Sequence, residues 1–197
     1  MPAPRLQATA SEQKDLFAAK PSLPAGFAYR DDLITPAEEL GLLKRLEDLP
    51  FKPFEFHGYL GKRRVVSFGW RYDYGARTLQ ASDPIPDFLL ALRSGAADFA
   101  GVSAQSLQQI LINEYAAGAG IGWHRDKAAF DIVCGLSLGS ACPFRFRRKA
   151  GERWQRFTLT CDPRSLYMMA GEARSIWEHS IAPVDQLRYS ITFRSLR

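Results

Sequence analysis

From Gln108 to the C-terminus the chain runs as short apolar or alternating stretches, at 108–115, 131–138, 142–148, 153–160, 165–169, 174–181 and 187–194. Clusters of Gly, Ser, Asp and Pro separate them at 117–122, 139–140, 150–151, 162–163, 170–171 and 183–185. Alternation with period two marks half-buried strands, and these residue types supply the turn conformations that strand ends need. Many short strands interrupted this often predict a mostly β fold, a sandwich or jelly roll, behind a small helical layer.

The helical layer is legible upstream. Thr35-Pro36-Ala37-Glu38 is a capping box with Pro at the first helical position, and Leu40, Leu43 and Leu46 follow at helical spacing, which predicts a helix over 36–48. A second starts near Asp83-Pro84 or Pro86, aligns Phe88, Leu89, Leu92, Ala96 and Phe99 on one face, and stops at Gly101. Residues 51–80, rich in aromatic and basic side chains, predict a hairpin or lid. Residues 1–25 have no apolar core like that of a secretory signal and read as a loose tail before one domain over 26–197, with its β core at about 107–197.

No apolar run approaches the roughly 20 residues of a spanning helix, so no membrane partner is expected. Cys134, Cys142 and Cys161 are odd in number and lack a C-x-x-C pair, which fits neither a disulfide framework nor a zinc ribbon. They are expected as small buried hydrophobes in a cytoplasmic protein. Residues 51–197 carry 20 basic and 13 acidic side chains, against 6 and 8 in residues 1–50. A basic body suits an anionic partner such as nucleic acid, although solvated surface charge would read the same way.

Three histidines occur, His57, His124 and His179. In the tripeptide His124-Arg125-Asp126, an extended backbone would turn both potential ligands to one face, and His179 from a later strand would complete a set of two histidines and one carboxylate. Such a facial set leaves open positions on the metal and is the arrangement of non-haem Fe(II) oxygenases. With 12 aspartates in 197 residues the tripeptide alone carries little weight. His57 has no acidic partner at ligand spacing and is assigned no metal role.

Two further strands add to it. Alternation over 188–194 puts Arg188, Ser190, Thr192 and Arg194 on one face and Tyr189, Ile191 and Phe193 on the other. Arginine offers fixed bidentate donors, so one at each end of this strand could hold a small diacid. In 108–115, Leu111, Asn113 and Tyr115 share a face, and a buried amide and phenol require hydrogen-bond partners.

Together these residues resemble the AlkB family of Fe(II) and 2-oxoglutarate dependent dioxygenases. The resemblance runs from about Leu107 to the C-terminus, through Asn113-Glu114-Tyr115, the Gly-rich turn before His124-Arg125-Asp126, Leu136-Ser137-Leu138-Gly139, Gly171-Glu172-Ala173-Arg174, Trp177-Glu178-His179 and 188–194. The stretch 64–70, from Arg64 to Trp70, is similar to the family's nucleotide-recognition region. The resemblance implies a double-stranded β-helix, or jelly-roll, core with a nucleotide-recognition lid. It implies His124, Asp126 and His179 as iron ligands and Asn113, Tyr115, Arg188, Ser190 and Arg194 around 2-oxoglutarate. Arg188, Tyr115 and Ser190 then face its distal carboxylate, and Arg194 and Asn113 the carboxylate that chelates iron.

By the same resemblance, 2-oxoglutarate and O₂ are consumed to succinate and CO₂. An N-alkyl carbon of a nucleobase in DNA or RNA is hydroxylated, and the product sheds an aldehyde, as in alkylation-damage repair. The chain departs from prototypical members in having Ala128 where a second acidic residue follows the metal Asp; with Trp177, this is more like the branch of tRNA-modifying oxygenases. Three readings therefore stand beside base dealkylation: a hydroxylase or demethylase of a modified tRNA base, the same chemistry on a methylated protein side chain, and a jelly-roll binding module without catalysis.

A nucleobase must leave its stack to reach such a site, so a single strand or a flipped base is the expected partner of a monomer. Lys62, Arg63, Arg64, Trp70, Tyr72 and Trp177 are the candidate substrate contacts, with Phe54, Phe56, Tyr59 and Tyr74 as further aromatics of the lid. Arg145, Arg147, Arg148 and Lys149 near a hairpin end could meet phosphates or simply solvent.

Overall fold

The computed structural model describes residues 23–197 apart from His57, and describes Phe56 and Tyr59 by their backbone alone. The tail expected over 1–25 lies outside the described residues as far as residue 22, and so does His57. Strand β1 (Phe27–Arg30) leads to helix α1 (Pro36–Glu47). Two hairpins follow, β2 (Lys52–Phe56) with β3 (Tyr59–Phe68), and β4 (Trp70–Asp73) with β5 (Thr78–Ala81). Helix α2 (Leu90–Ala100) precedes β6 (Leu107–Tyr115), β7 (Ile121–His124), β8 (Phe130–Leu138), β9 (Cys142–Ala150), β10 (Arg153–Cys161) and β11 (Leu166–Met169). A short helix α3 (Gly171–Ser175), β12 (Glu178–Ile181) and β13 (Arg188–Leu196) complete the chain.

Among the described residues the strands form a seven-stranded sheet in the order β1-β11-β8-β13-β6-β3-β2, a four-stranded sheet β10-β9-β12-β7, and the small hairpin β4-β5. The larger sheet is amphipathic on both sides, and this decides what goes where. Its outer face sends Ile110, Ile112, Leu136, Leu138, Tyr189, Ile191 and Phe193 against Leu42 and Leu46 of α1 and Ala96 and Ala97 of α2. Each fully buried Leu or Ile there contributes about 1.5–3 kcal/mol. The inner face meets the smaller sheet through a second core of Tyr115, Val133, Phe144, Phe146, Tyr167, Met169 and Trp177. The predicted alternation of β13 holds: Arg188, Ser190 and Thr192 are buried on the side opposite Tyr189, Ile191 and Phe193. This is the two-sheet jelly-roll core with an N-terminal helical layer.

Helix α1 starts as read, since the Glu38 N–H donates to Thr35 Oγ1 at 3.3 Å and Glu38 Oε2 accepts from the Thr35 N–H at 2.7 Å. Gly101 ends α2 in the left-handed conformation at φ +68°. One stretch differs. The strand expected over 174–181 begins only at Glu178, because Gly171, at φ +51°, turns the chain into α3. Arg174 on α3 then points inward and donates to the carbonyls of Lys127 and Phe130. Strand β7 also begins inside the expected turn at 117–122, because pairing with β12 supplies hydrogen bonds that its Gly-rich sequence does not announce.

Candidate metal centre

Strands β7 and β12 are antiparallel neighbours, and their register sets His124 opposite His179. The ring centroids are 4.3 Å apart. His179 is buried against Phe144 and Phe146, with centroids at 5.6 and 6.1 Å. Asp126 follows just after β7 ends, and its Oδ1 lies 3.9 Å from His124 Nε2. One ligand atom from each of the three residues falls within 4.8 Å of the others. Nδ1 of His124 lies 2.9 Å from the Gly122 carbonyl oxygen; with Nδ1–H as donor, Nε2 keeps its lone pair for a metal.

The protonation states match. Burial pushes the His179 imidazole down to about 3, so at neutral pH it is an uncharged ligand. Burial would raise the Asp126 carboxyl, but Arg194, His179, His124 and Arg174 outweigh it and hold it at about 2, so it is a carboxylate. Two imidazoles and one carboxylate on one side of a metal form the donor set suited to Fe(II) with positions left open. Arg194 supports the acid through Nη2, 3.8 Å from Oδ1, while its Nη1 donates to Gln109 Oε1 at 3.3 Å. Arg174 ties down Lys127 and Phe130, the loop that follows Asp126. The sequence reading gave Arg174 no role of its own, although it stood inside a motif that carried the resemblance.

A cavity of about 920 Å³ opens over the three ligands. Asn113, Tyr115, Ser190 and Arg194 line it beside His124, Asp126 and His179. Arg188 lies deeper, 1% exposed, with its guanidinium 5.0 Å from the Tyr115 ring. Its Nη2 donates to Ser137 Oγ at 3.1 Å, yet among the described residues Nε and Nη1 are buried without hydrogen-bond partners, as is Nε of Arg194. Buried guanidinium donors left open call for an anion, and a dicarboxylate fits them.

The candidate substrate contacts divide. Alternation along β3 splits the basic run: Lys62 is exposed and off the cavity, and Arg64 turns outward into a bidentate ion pair with Glu114 at 2.7 Å. Only Arg63 enters, where Nε donates to Asn113 Oδ1 at 3.2 Å and the guanidinium lies 3.7 Å over the Phe54 ring. Tyr72 lines the cavity, whereas Trp70 does not. Trp177 is corrected outright. It is 2% exposed within the second core, with the Arg148 guanidinium 4.9 Å over its ring, because it precedes β12 instead of alternating within it. The unforeseen lining residue is Trp123, whose signal was adjacency to His124 on an edge strand.

Residues 33–194 match the 2OG-Fe(II) oxygenase superfamily, and the chain belongs to that superfamily of Fe(II)- and 2-oxoglutarate-dependent dioxygenases. Within it the chain is AlkB-like. It is 29% identical over 198 residues to the alkylated DNA repair protein ALKBH8 homolog of Arabidopsis thaliana, covering 87% of this chain and 56% of that protein. It is 33% identical over 170 residues to the tRNA (carboxymethyluridine(34)-5-O)-methyltransferase ALKBH8 of Mus musculus, covering 82% and 25%. The chain thus spans about half and a quarter of these relatives. The solved structure of OsALKBH1 superposes with a TM-score of 0.65 at 16% identity, over 88% of this chain and 98% of that one, which supports the fold.

Proposed function

We propose that this chain oxidatively dealkylates an N-alkylated nucleobase in DNA or RNA. In this reading His124, Asp126 and His179 hold the Fe(II), and Asn113, Tyr115, Arg188, Ser190 and Arg194 hold 2-oxoglutarate. When bound, the metal and co-substrate supply the oxidation, turning 2-oxoglutarate and O₂ into succinate, CO₂ and an oxygen atom delivered to a C–H bond. The protein's share is placement and exclusion. Arg194 keeps Asp126 ionised and aimed, and the hydrogen bond at Gly122 sets the tautomer of His124. The observation that carries the reading is the cavity above the ligands, walled by Phe54, Tyr72, Tyr74 and Trp123 and flanked by Arg63 and Lys127. A flat ring with a polar edge is what such walls accommodate, as stacking on aromatic faces holds a flipped base.

A second reading, oxidation of a modified tRNA base, is favoured by Ala128, which puts no acid two positions after Asp126, and by the tRNA named for the mouse relative. One experiment separates the two. The protein is incubated with Fe(II), 2-oxoglutarate, O₂ and a pool of methylated DNA and RNA strands and whole tRNA, and succinate and base masses are recorded together. Loss of alkyl groups matched by succinate supports dealkylation. A gain of one oxygen on a tRNA base supports the second reading, and absence of succinate in every pool refutes both.

A further inference from the structure

The outer face of the four-stranded sheet is unlike a solvated sheet surface. Residues alternate along each strand, so while Phe146, Phe157, His124 and His179 face the interior, Trp123, Arg145, Arg147, Lys149, Trp154 and Arg156 share the other side. The Arg147 guanidinium sits 4.5 Å from the Trp123 ring and 4.5 Å from the Trp154 ring, between two indoles from strands β7 and β10. Arg145 lies 5.3 Å from Trp123, and the Lys149 ammonium 5.9 Å from Trp154. Among the described residues Glu178 is the one carboxylate that pairs with this row, at 2.7 Å from Arg147 Nε. Arg145 bonds Ser180 Oγ through Nε at 3.1 Å, so both arginines use Nε on the sheet and leave their terminal nitrogens to donate outward. Trp154 remains 38% exposed, and Lys149 and Arg156 are exposed.

Trp123 makes the face continuous with the site, since it also lines the cavity over the metal ligands. We propose that this face is a track for the strand that carries the reacting base, with phosphates on Arg145, Arg147, Lys149 and Arg156 and bases stacked on Trp123 and Trp154. The inference rests on the nucleic-acid reading above. Alternating indoles and guanidiniums suit a polymer that presents a flat ring and an anion at each repeat, which an acidic peptide does not. Because Arg147 lies 4.5 Å from each indole, the two rings are at most about 9 Å apart, the rise of about two to three stacked nucleotides.

The test uses the full chain and fluorescein-labelled uridine and deoxythymidine 12-mers and mononucleotides, with affinity read by anisotropy between about 50 and 200 mM salt. Trp154→Ala weakens 12-mer binding about 5- to 150-fold, the range for losing one stacked base. Lys149→Glu with Arg156→Glu flattens the dependence of log K on log salt by about 1.4, for two lost single-strand phosphate contacts. Neither variant changes mononucleotide affinity, because a single nucleotide held at the cavity does not reach Trp154. The stronger of the uridine and deoxythymidine series identifies RNA or DNA as the strand. Normal 12-mer binding by both variants overturns the track and leaves the proposed function standing, as does an equal loss for mononucleotides. Loss of poly-glutamate binding with strand binding intact assigns the face to an acidic protein and also overturns it. Wild-type protein that binds no strand refutes the nucleic-acid reading and the track together.

Discussion

Arg188→Met separates an arginine kept for a ligand from one kept for the fold. In the ligand-free protein the guanidinium is 1% exposed, makes one hydrogen bond, to Ser137 Oγ, and leaves Nε and Nη1 unpaired. Two buried donors without partners cost about 2–6 kcal/mol, whereas the hydrogen bond contributes about 1 kcal/mol and the guanidinium over the Tyr115 ring about 1–2 kcal/mol. Methionine fills a similar volume without donors. Metal-free, ligand-free R188M is therefore expected to be more stable than wild type by about 1–3 kcal/mol, a rise in Tm of about 2–10 °C for a chain of this size. With 2-oxoglutarate and Mn(II) the order inverts. Wild type gains stability with ligand concentration and R188M gains far less, because losing one side of a buried charge pair weakens binding by about 10²–10³-fold. Thermal unfolding with and without 2-oxoglutarate, and calorimetric titration of the ligand, read both effects. A destabilised R188M with unchanged 2-oxoglutarate affinity would refute the reasoning, since the arginine would then serve the fold alone.

Three other perturbations follow from the same geometry. His124→Ala removes one of three ligands, so Mn(II) affinity measured by calorimetry is expected to fall at least about 100-fold, with turnover abolished; retained succinate formation would contradict the assignment. Burial holds His179 at about 3, so between the ordinary histidine value and about 3 only the unfolded chain takes up the proton, and metal-free protein loses stability as pH falls. From pH 6.5 to 5 that amounts to about 2 kcal/mol, read as a shift in urea midpoint that His179→Gln should largely remove. At Gly135 an added Cβ would meet the Tyr167 ring at 2.2 Å, so Gly135→Ala is expected to cost about 1–3 kcal/mol and lower Tm by several degrees, whereas an unchanged Tm would show that the ring moves freely.

Where local spacing decides geometry, the sequence alone was enough. The capping box at Thr35 and Glu38 starts α1 because both bonds lie within one helical turn. The alternation of β13 puts Arg188 and Ser190 inside because a strand has only two faces. The cluster of His124, Asp126 and His179 was legible too, since the first two are near neighbours and His179 is the histidine that falls on a later expected strand.

What only the tertiary structure decided is how elements distant in sequence meet. Lys62, Arg63 and Arg64 form one basic run, yet pairing of β3 with β6 sends Arg64 to Glu114 and Arg63 to Asn113 on the other face. Trp177 stands two positions from His179 as Asp126 stands two from His124, but α3 ends just before it and turns its ring into the core. The stack of Trp123, Arg147 and Trp154 draws on three strands. Spacing along the chain determines which face a residue takes within one strand. Sheet order and register, set by burial of the whole core, determine which other residues share that face.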